Sequence, residues 1–210
     1  SGFELSAAFV DVLRGIGVKE NHVKMALEET NLEAKNFENW SENDTKSFAW
    51  VLRDVSKPTL IVANKMDLPT SAENFKRIQD EYSDMIVVPA SAEAELTLRR
   101  AEQKGFIKYI PGEERFEILN QVALTDRQKW ALNYIRKAVL GEYMRTGVQF
   151  AINVAAFKLL RMNSVYPVYD SQKLSDKQGK VLPDVYLLPS GSTVLDLARE
   201  VHTELAKGLL

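Results

Sequence analysis

The sequence contains no cysteine and only two histidines, His22 and His202. Without cysteine the chain has no disulfide framework, no thiolate metal site and no cysteine nucleophile, and two separate histidines do not make a zinc-binding cluster. These absences exclude the disulfide-rich secreted class and the cysteine-dependent enzymes. They lead us to expect a cytoplasmic protein.

Long apolar stretches and an excess of charge of one sign are also missing. The most apolar segment, residues 150–160, is interrupted by Asn153 and Lys158, and it falls short of the roughly 18 consecutive apolar residues that a membrane span needs. Lysine and arginine number 27, aspartate and glutamate 29, and the formal charge is -2. We expect a soluble chain without membrane contact, in which any nucleic-acid contact depends on a local basic patch.

The chain has 210 residues, of which 45% are hydrophobic and 27% charged, and this composition suits one or two globular domains. It begins with Ser1 rather than methionine, and it ends at Leu210 inside an apolar helical pattern. We interpret it as part of a longer protein whose oligomeric state the sequence leaves open.

Helical patterns fill the first part of the chain. Apolar residues at helical spacing predict a helix over residues 3–13. Asn21 is a candidate N-cap for a second helix, and Ser41 opens a capping box for a third. We assign residues 1–57 to a helical segment.

After residue 58 the pattern changes to alternating strands and helices. Residues 59–63 and 85–89 are short continuous apolar runs, typical of strands buried on both faces. A helical pattern follows each run, over residues 71–82 and 93–104. This order predicts parallel strands and an α/β layer. Two strands cannot form such a sheet alone, so we expect its other strands outside this chain or in another copy.

Two further helices and a β-containing segment follow. A capping box at Thr125 and an apolar stretch from Gly147 predict two buried helices. We expect four aromatic residues of these helices to lie in the core: Trp130, Tyr134, Phe150 and Phe157. Strand patterns at residues 165–169 and 185–188, and a helix capped by Thr193, predict a small α+β module.

The tetrapeptide Asn64-Lys65-Met66-Asp67 lies where the first predicted strand ends, and ligands of open α/β sheets bind at that edge. A guanine base carries an N1–H and a 2-amino group on one edge, and one ionised carboxylate accepts both hydrogen bonds. Asp67 fits that role. Adenine has an acceptor at N1 and no 2-amino group, so the mismatch costs on the order of 1–3 kcal/mol, and more for a charged group.

The neighbouring residues complete the predicted base contacts. The stem of Lys65 can cover one face of the base, and the Asn64 amide can tie the loop to its neighbours and reach the N7 acceptor. The second predicted strand ends at Ser91-Ala92-Glu93, where the backbone N–H of Ala92 can donate to the guanine 6-oxo group. Two loops are thus predicted to read one base.

Other polar residues have structural explanations. Glu93 and Glu95 open a predicted helix, where acidic side chains favour the helix dipole, and we assign His202 to packing or to the surface. Asp176 and Gly179 indicate a turn rather than a magnesium motif. The same loop carries three lysines: Lys173, Lys177 and Lys180. We expect a solvated loop there, with an RNA contact as the alternative.

The motifs at residues 64–67 and 91–93 resemble the fourth and fifth motifs of the GTPase G domain. The longer string at residues 91–101 resembles the YchF-type branch of Obg-like GTPases, especially archaeal members, and the N-terminal helices resemble the helical insertion of that branch. Residues 182–202 are similar to the TGS module, a β-grasp domain shared with threonyl-tRNA synthetases and guanosine-tetraphosphate synthetases.

The resemblance implies the C-terminal half of a P-loop GTPase domain at residues 58–163, with a helical insertion at 1–57 and the start of an α+β TGS domain at 164–210. It implies GTP binding, slow hydrolysis with Mg²⁺ in the full-length protein, and ribosome or RNA association through TGS. The nucleotide-binding residues that it implies are Asn64, Lys65, Asp67, Ser91, Ala92 and Glu93.

The chain also departs from the family pattern. It has no Gly-x-x-x-x-Gly-Lys-[Ser/Thr] loop to cradle phosphates, so we expect no hydrolysis by this chain alone, and we expect the TGS sheet to be incomplete at Leu210. Asp67 matches the guanine-reading pattern, whereas relatives that prefer ATP are expected to carry glutamate there. The alternative function is a non-catalytic RNA- or ribosome-binding module in which the guanine pocket is vestigial or empty.

Overall fold

The computed structural model describes residues 2–182 and 184–201. The chain divides into two compact units, Ser1–Thr59 and Leu60–Leu210. His202, which we assigned to packing or to the surface, lies outside the described residues, as does Pro183 in the segment that resembles TGS. None of the helices in the described part of the chain is long and apolar enough to cross a membrane.

The first unit consists of helices. Their bounds are Gly2–Leu13 (α1), Glu20–Glu29 (α2) and Glu42–Ser56 (α3), with 3₁₀ turns at Arg14–Ile16 and Phe37–Asn39. Val23, Leu27 and Phe48 belong to one buried cluster that forms the core of this unit. The three predicted helices are therefore confirmed.

The start of α2 differs from the prediction. Asn21 lies inside the helix, and Lys19 occupies the N-cap position. The backbone N–H of Lys19 donates to Nδ1 of His22 at 3.2 Å, so the side chain at the third helical position bonds back to the N-cap backbone. At α3 the predicted capping box is confirmed, because Ser41 and Asp44 exchange hydrogen bonds between side chain and backbone.

The second unit opens with strand β1 (Leu60–Ala63), helix α4 (Ser71–Glu81), strand β2 (Ile86–Pro89) and helix α5 (Ala92–Gln103). The strands pair in parallel from Leu60 opposite Ile86 to Ala63 opposite Pro89, as predicted. The expected burial of both faces is wrong for β1, since Val62 is 45% exposed. The described sheet has only these two strands, so part of the apolar surface of β1 stays uncovered.

The middle of the second unit contains elements that the sequence patterns did not predict. Strands β3 (Ile107–Lys108) and β4 (Glu117–Ile118) form an antiparallel pair, and two-residue strands are too short for a periodic signal. The predicted helices are present, but each changes to π-helical geometry part-way. Their bounds are Asp126–Tyr134 (α6, π over Ile135–Leu140), Gly141–Tyr143 (α7) and Val148–Asn153 (α8, π over Val154–Leu159).

The expected aromatic core of these helices is wrong. Trp130 is 67% exposed and Phe157 is 48% exposed, while Phe150 is exposed and Tyr134 half-buried. The core instead uses aliphatic residues from the opposite side of α6 and its π extension, packed against residues of α5, β3 and the segment up to β4. Its members include Leu98, Ile107, Tyr109, Phe116, Leu132, Ile135 and Val139.

The last described elements form an antiparallel strand pair and a helix. Strands β5 (Met162–Val165) and β6 (Tyr186–Pro189) pair in antiparallel register, and helix α9 (Val194–Val201) follows. The predicted strand at 165–169 is shifted, because Pro167 lacks the N–H that a continuing ladder needs. The cap at Thr193 is confirmed by its bonds with Asp196.

The turn predicted at Asp176 and Gly179 is also confirmed. One carboxylate oxygen of Asp176 accepts backbone N–H bonds from Gln178 at 2.9 Å and Lys180 at 2.8 Å. Gly179 has a positive φ of 84° and donates its N–H to the Asp176 carbonyl. The carboxylate therefore serves the turn itself.

Candidate functional site

The two predicted loops meet at the carboxyl ends of β1 and β2. The Ser91 hydroxyl donates to Oδ1 of Asp67 at 2.6 Å, although the two residues are 24 positions apart. The Ala92 backbone N–H donates to Oδ1 of Asn64 at 3.0 Å. The structure thus joins four of the six predicted site residues by hydrogen bonds between the loops.

Backbone bonds extend the sheet into these loops. The Ala90 N–H donates to the Ala63 carbonyl at 2.9 Å, and the Met66 N–H donates to the Ala90 carbonyl at 3.0 Å. The Met66 side chain is buried, whereas Lys65 adopts a left-handed conformation with φ of 69°. Met66 therefore anchors the first loop, while the polar residues on either side of it lie toward the surface.

Lys65 and Glu93 are both exposed. Within residues 2–182 and 184–201 no hydrogen bond or ion pair is made by either side chain. The Lys65 stem is therefore accessible to a ligand at this edge. Glu93 lies in the first turn of α5, in agreement with its predicted place at a helix start.

Asp67 is half-buried, and hydrogen bonds hold both its side chain and its backbone. Its carbonyl accepts the hydroxyl of Tyr134, which comes from α6. The Ser71 hydroxyl contacts the two flanking carbonyls, Leu68 at 2.6 Å and Met66 at 3.2 Å. Neither Tyr134 nor Ser71 was predicted to contact this loop, and the distance of Tyr134 along the chain leaves no local pattern that would reveal it.

A buried carboxylate lies on α5 behind the second loop. Glu95 Oε2 accepts the hydroxyls of Thr146 at 2.6 Å and Tyr109 at 2.8 Å, and Oε1 accepts Nε of Arg99 at 2.8 Å. Glu95 lies in the first turn of α5, as predicted, but its side chain is also buried and accepts three hydrogen bonds that the sequence pattern did not reveal. The hydrogen bond from Thr146 to the Glu95 carboxylate connects helix α5 to the turn at Thr146.

Hydrogen bonding and burial compete in this cluster. Burial alone would raise the pKa of Glu95, but the bonds from Thr146, Arg99 and Tyr109 together hold that pKa below its ordinary value. Burial and the bond to Glu95 raise the pKa of Tyr109 to about 12. Glu95 is therefore an ionised acceptor and Tyr109 a protonated donor at neutral pH.

The turn at Thr146 and Gly147 packs directly against the end of β2. The Thr146 carbonyl accepts the Ser91 N–H at 2.7 Å, so this turn helps to position the second loop. A Cβ atom on Gly147 would lie 2.0 Å from the Pro89 carbonyl oxygen and 2.7 Å from Cα of Ala90. Only glycine allows the turn to come this close.

The described residues contain no cluster of three or more histidine, cysteine, aspartate or glutamate side chains that could hold a metal ion. The donor set at the loops is instead a carboxylate, an amide and backbone N–H groups. These groups suit the polar edge of a planar base. They also agree with the chemistry predicted for Asp67 and Asn64.

We expect replacement of Ser91 by alanine to destabilise the protein and to weaken the guanine-nucleotide binding that the sequence predicts. Ser91 is fully buried, orients Asp67 and also caps α5 by accepting the Ala94 N–H at 3.2 Å. Loss of the cap alone removes about 1 kcal/mol of unfolding free energy. Urea denaturation and GDP titration measure the two effects.

Thr125→Ala is the matched control, because Thr125 caps α6 through the Gln128 N–H. We expect a similar loss of stability and unchanged GDP affinity. Equal GDP affinities for the Ser91 and Thr125 variants would contradict the orienting role of Ser91.

We expect Glu95→Gln to lower the free energy of unfolding by about 1.5–3 kcal/mol, the usual range for bonds to a buried charged group. The pKa of Glu95 is lowered in the folded state, so its contribution is present above the ordinary value of 4.5 and disappears as the pH falls through the folded-state pKa. The difference between wild type and variant should therefore be constant near neutrality and shrink in acid. Urea denaturation at several pH values measures it.

Glu102→Gln, on the exposed part of the same helix, is the control and should show neither effect. A Glu95→Gln difference that grows in acid would contradict the lowered pKa.

Comparison with known proteins identifies the family. Residues 62–170 match the family described as "Obg-like GTPase YGR210-like, G4 motif-containing domain", and this match covers just over half of the chain and both motif loops. The chain belongs to the YGR210-like family of Obg-like GTPases. The predicted relation to Obg-like GTPases is thus confirmed at the level of the family.

Two individual proteins are also similar to this YGR210-like chain. It is 45% identical over 200 residues to an uncharacterized GTP-binding protein of Methanocaldococcus jannaschii, covering 95% of this chain and 49% of the relative. It is 27% identical over 171 residues to an uncharacterized GTP-binding protein of Schizosaccharomyces pombe, covering 78% of this chain and 42% of the relative. The chain spans about half the length of the curated relatives it matches.

A solved structure is also similar. The crystal structure of a GTP binding protein from Pyrococcus horikoshii OT3 matches with a TM-score of 0.74 and 42% identity, over 97% of this chain and 52% of that chain. The YGR210-like chain therefore has the same fold as about half of that structure.

Proposed function

We propose that this chain recognises the guanine base of GTP or GDP for an Obg-like GTPase. The observation that carries the proposal is the hydrogen bond from Ser91 to Asp67, which joins the two loops and uses one oxygen of the carboxylate. The half-buried carboxylate retains lone pairs for the N1–H and the 2-amino group of guanine. Adenine offers neither donor at those positions.

Asn64 and Ala92 supply the remaining polar contacts in this proposal. Because Oδ1 of Asn64 accepts the Ala92 N–H, the Asn64 amide nitrogen is the donor for N7 of the base. The same Ala92 N–H must then be shared between Asn64 and the guanine 6-oxo group. The exposed stem of Lys65 covers one face of the ring, and Glu93 lies at the edge of the site.

Hydrolysis of GTP belongs, in this proposal, to the complete protein. The sequence contains no Gly-x-x-x-x-Gly-Lys-[Ser/Thr] motif, so phosphate contacts and Mg²⁺ ligands come from other residues of the complete protein. The residues of this chain determine which base the protein binds. Its donors and acceptors orient the nucleotide without touching the bond that breaks.

Competition binding tests the proposal. A fluorescent GDP derivative is bound to the complete protein that carries this sequence, and unlabelled GDP, GTP and ADP are added as competitors. We expect GDP and GTP to displace the probe at concentrations about a hundredfold lower than ADP, as a mismatched buried charge implies. Equal displacement by GDP and ADP would refute guanine recognition.

We also propose the finer assignments that the resemblance implies: the YchF type, a TGS module at the end of the chain, a cytoplasmic location and association with the ribosome or RNA. The antiparallel pair β5–β6 with the following helix α9 supports a small α+β module. In the loop between the strands, Nζ of Lys177 lies 5.4 Å from the Tyr169 ring centroid, which places a cation and an aromatic ring side by side.

Filter binding of the complete protein to ribosomal RNA across a salt series tests this second function. Phosphate contacts release counterions, so the affinity should fall steeply as salt rises, and Lys173→Glu with Lys177→Glu should flatten that dependence. Binding that does not respond to salt would count against RNA contact through this loop.

A further inference from the structure

Asp67 is held at two points by two different elements. The loop before α5 holds its carboxylate through Ser91, and α6 holds its backbone carbonyl through the Tyr134 hydroxyl. Ser71, which lies at the start of α4, holds only the carbonyls on either side. Within residues 2–182 and 184–201, the bond from Tyr134 is the one hydrogen bond from α6 to the residue that we propose reads the base.

The Tyr134 ring is itself packed against a second aromatic ring. Trp130, one helical turn earlier, stacks on it with ring centroids 5.4 Å apart and an angle of 15° between the planes. The helix changes from α to π geometry at Ile135, the next residue. Such π turns are frequent at functional sites. The hydroxyl that bonds to the Asp67 loop thus belongs to a stacked pair of aromatic rings.

We propose that Tyr134 is a positioning residue for guanine specificity, acting through the Asp67 backbone. This inference rests on the proposed function. One carboxylate meets both the N1–H and the 2-amino group only if its plane lies along the edge of the base. Rotation of the Asp67 backbone tilts that plane and loses one of the two bonds. Tyr134 prevents the rotation from the backbone side, as Ser91 does from the side chain.

This role predicts a particular pattern of nucleotide affinities. Hypoxanthine, the base of IDP, has the N1–H and the 6-oxo group of guanine but no 2-amino group. If the Asp67 carboxylate is no longer aligned with the edge of the base, the difference between the affinities for GDP and IDP becomes smaller. A residue that merely stabilises the fold would instead weaken both nucleotides by the same factor.

The test uses the complete protein, with GDP, IDP and ADP as competitors against a fluorescent GDP probe. Tyr134→Phe keeps the ring stacked on Trp130 and removes only the hydroxyl. We expect GDP to bind roughly three- to tenfold more weakly, the factor for one lost hydrogen bond, while IDP changes less than twofold. Tyr82→Phe is the matched control, because Tyr82 is exposed at the end of α4, and all its affinities should stay unchanged.

A second variant keeps the test decisive. Trp130→Leu changes an exposed side chain and loosens the Tyr134 ring, so we expect a smaller fall in the ratio of GDP to IDP affinity. If Tyr134→Phe does not fold, the ratio in Trp130→Leu decides, and an unchanged ratio overturns the inference. An equal loss of GDP and IDP affinity in Tyr134→Phe, or no loss at all, overturns it as well.

The outcome also separates this inference from the proposed function. Wild-type protein that binds GDP no better than ADP refutes guanine recognition itself. Wild-type preference for GDP together with an unchanged ratio in Tyr134→Phe, or in Trp130→Leu where Tyr134→Phe does not fold, refutes only the role of Tyr134.

Discussion

Gly147→Ala is expected to lower the free energy of unfolding by about 3–5 kcal/mol, the combination of left-handed strain and overpacking. The new Cβ would lie 2.0 Å from the Pro89 carbonyl oxygen and 2.7 Å from Cα of Ala90. Both neighbours are backbone atoms at the end of β2, so they cannot rotate away as a flexible side chain would. Relief of the clash requires this strand end to move.

The functional consequence follows from the position of the clash. Ala90 precedes Ser91, whose N–H donates to the Thr146 carbonyl beside the new methyl group. Displacement of this segment separates Ser91 from Asp67 and disrupts the proposed base site. We therefore expect loss of GDP binding together with the loss of stability, measured by urea denaturation and nucleotide titration.

Gly179→Ala separates the close contact from the backbone strain. Gly179 has almost the same φ, 84° against 85° for Gly147, but nothing lies within 4 Å of its added Cβ. We expect this variant to lose only about 1–2 kcal/mol and to bind GDP normally. If Gly147→Ala and Gly179→Ala lost the same free energy of unfolding, the close contact between Gly147 and the end of β2 would be contradicted.

Asp67→Asn is expected to weaken GDP binding about a hundredfold and to create binding of XDP. The asparagine amide cannot accept both guanine hydrogen bonds, because one of its two polar atoms is a donor. Xanthine carries an N1–H and a 2-oxo group, so the asparagine oxygen accepts from the first and its nitrogen donates to the second. The change in preference reflects the free energy of a mismatched buried contact, about 3 kcal/mol for a charged group.

The control for this variant is Asp80→Asn, which changes an exposed aspartate on α4. It should retain the wild-type order of GDP, XDP and ADP in competition with a fluorescent GDP probe. If Asp67→Asn retained that order as well, Asp67 would not be the residue that reads the base.

Local patterns in the sequence were sufficient to predict much of this fold. The apolar runs predicted the parallel pair β1–β2, and the capping boxes at Ser41, Thr125 and Thr193 are present as expected. The same patterns suggested that the loops after both strands meet, and Ser91 does contact Asp67. These features depend on neighbouring residues or on the rule that parallel strands end at one edge.

The parts that were missed depend on tertiary contacts. Glu95 has the sequence context of an ordinary helix start, and only the fold brings Thr146 and Tyr109 to its carboxylate. Trp130 fits an apolar helical pattern, yet the core uses Leu132 on the opposite side of the helix. Periodicity predicts that a helix has an apolar face, and packing decides which residues that face contains.

A crystal structure of the complete protein with GDP tests the central claim most directly. We expect N1 and N2 of the guanine to lie roughly 2.7–3.2 Å from the Asp67 carboxylate oxygens, the usual hydrogen-bond distance. The Ser91 hydroxyl should remain bonded to the same carboxylate, and the Lys65 stem should lie over the ring. A guanine bound elsewhere, with the Asp67 carboxylate out of its reach, would contradict the account.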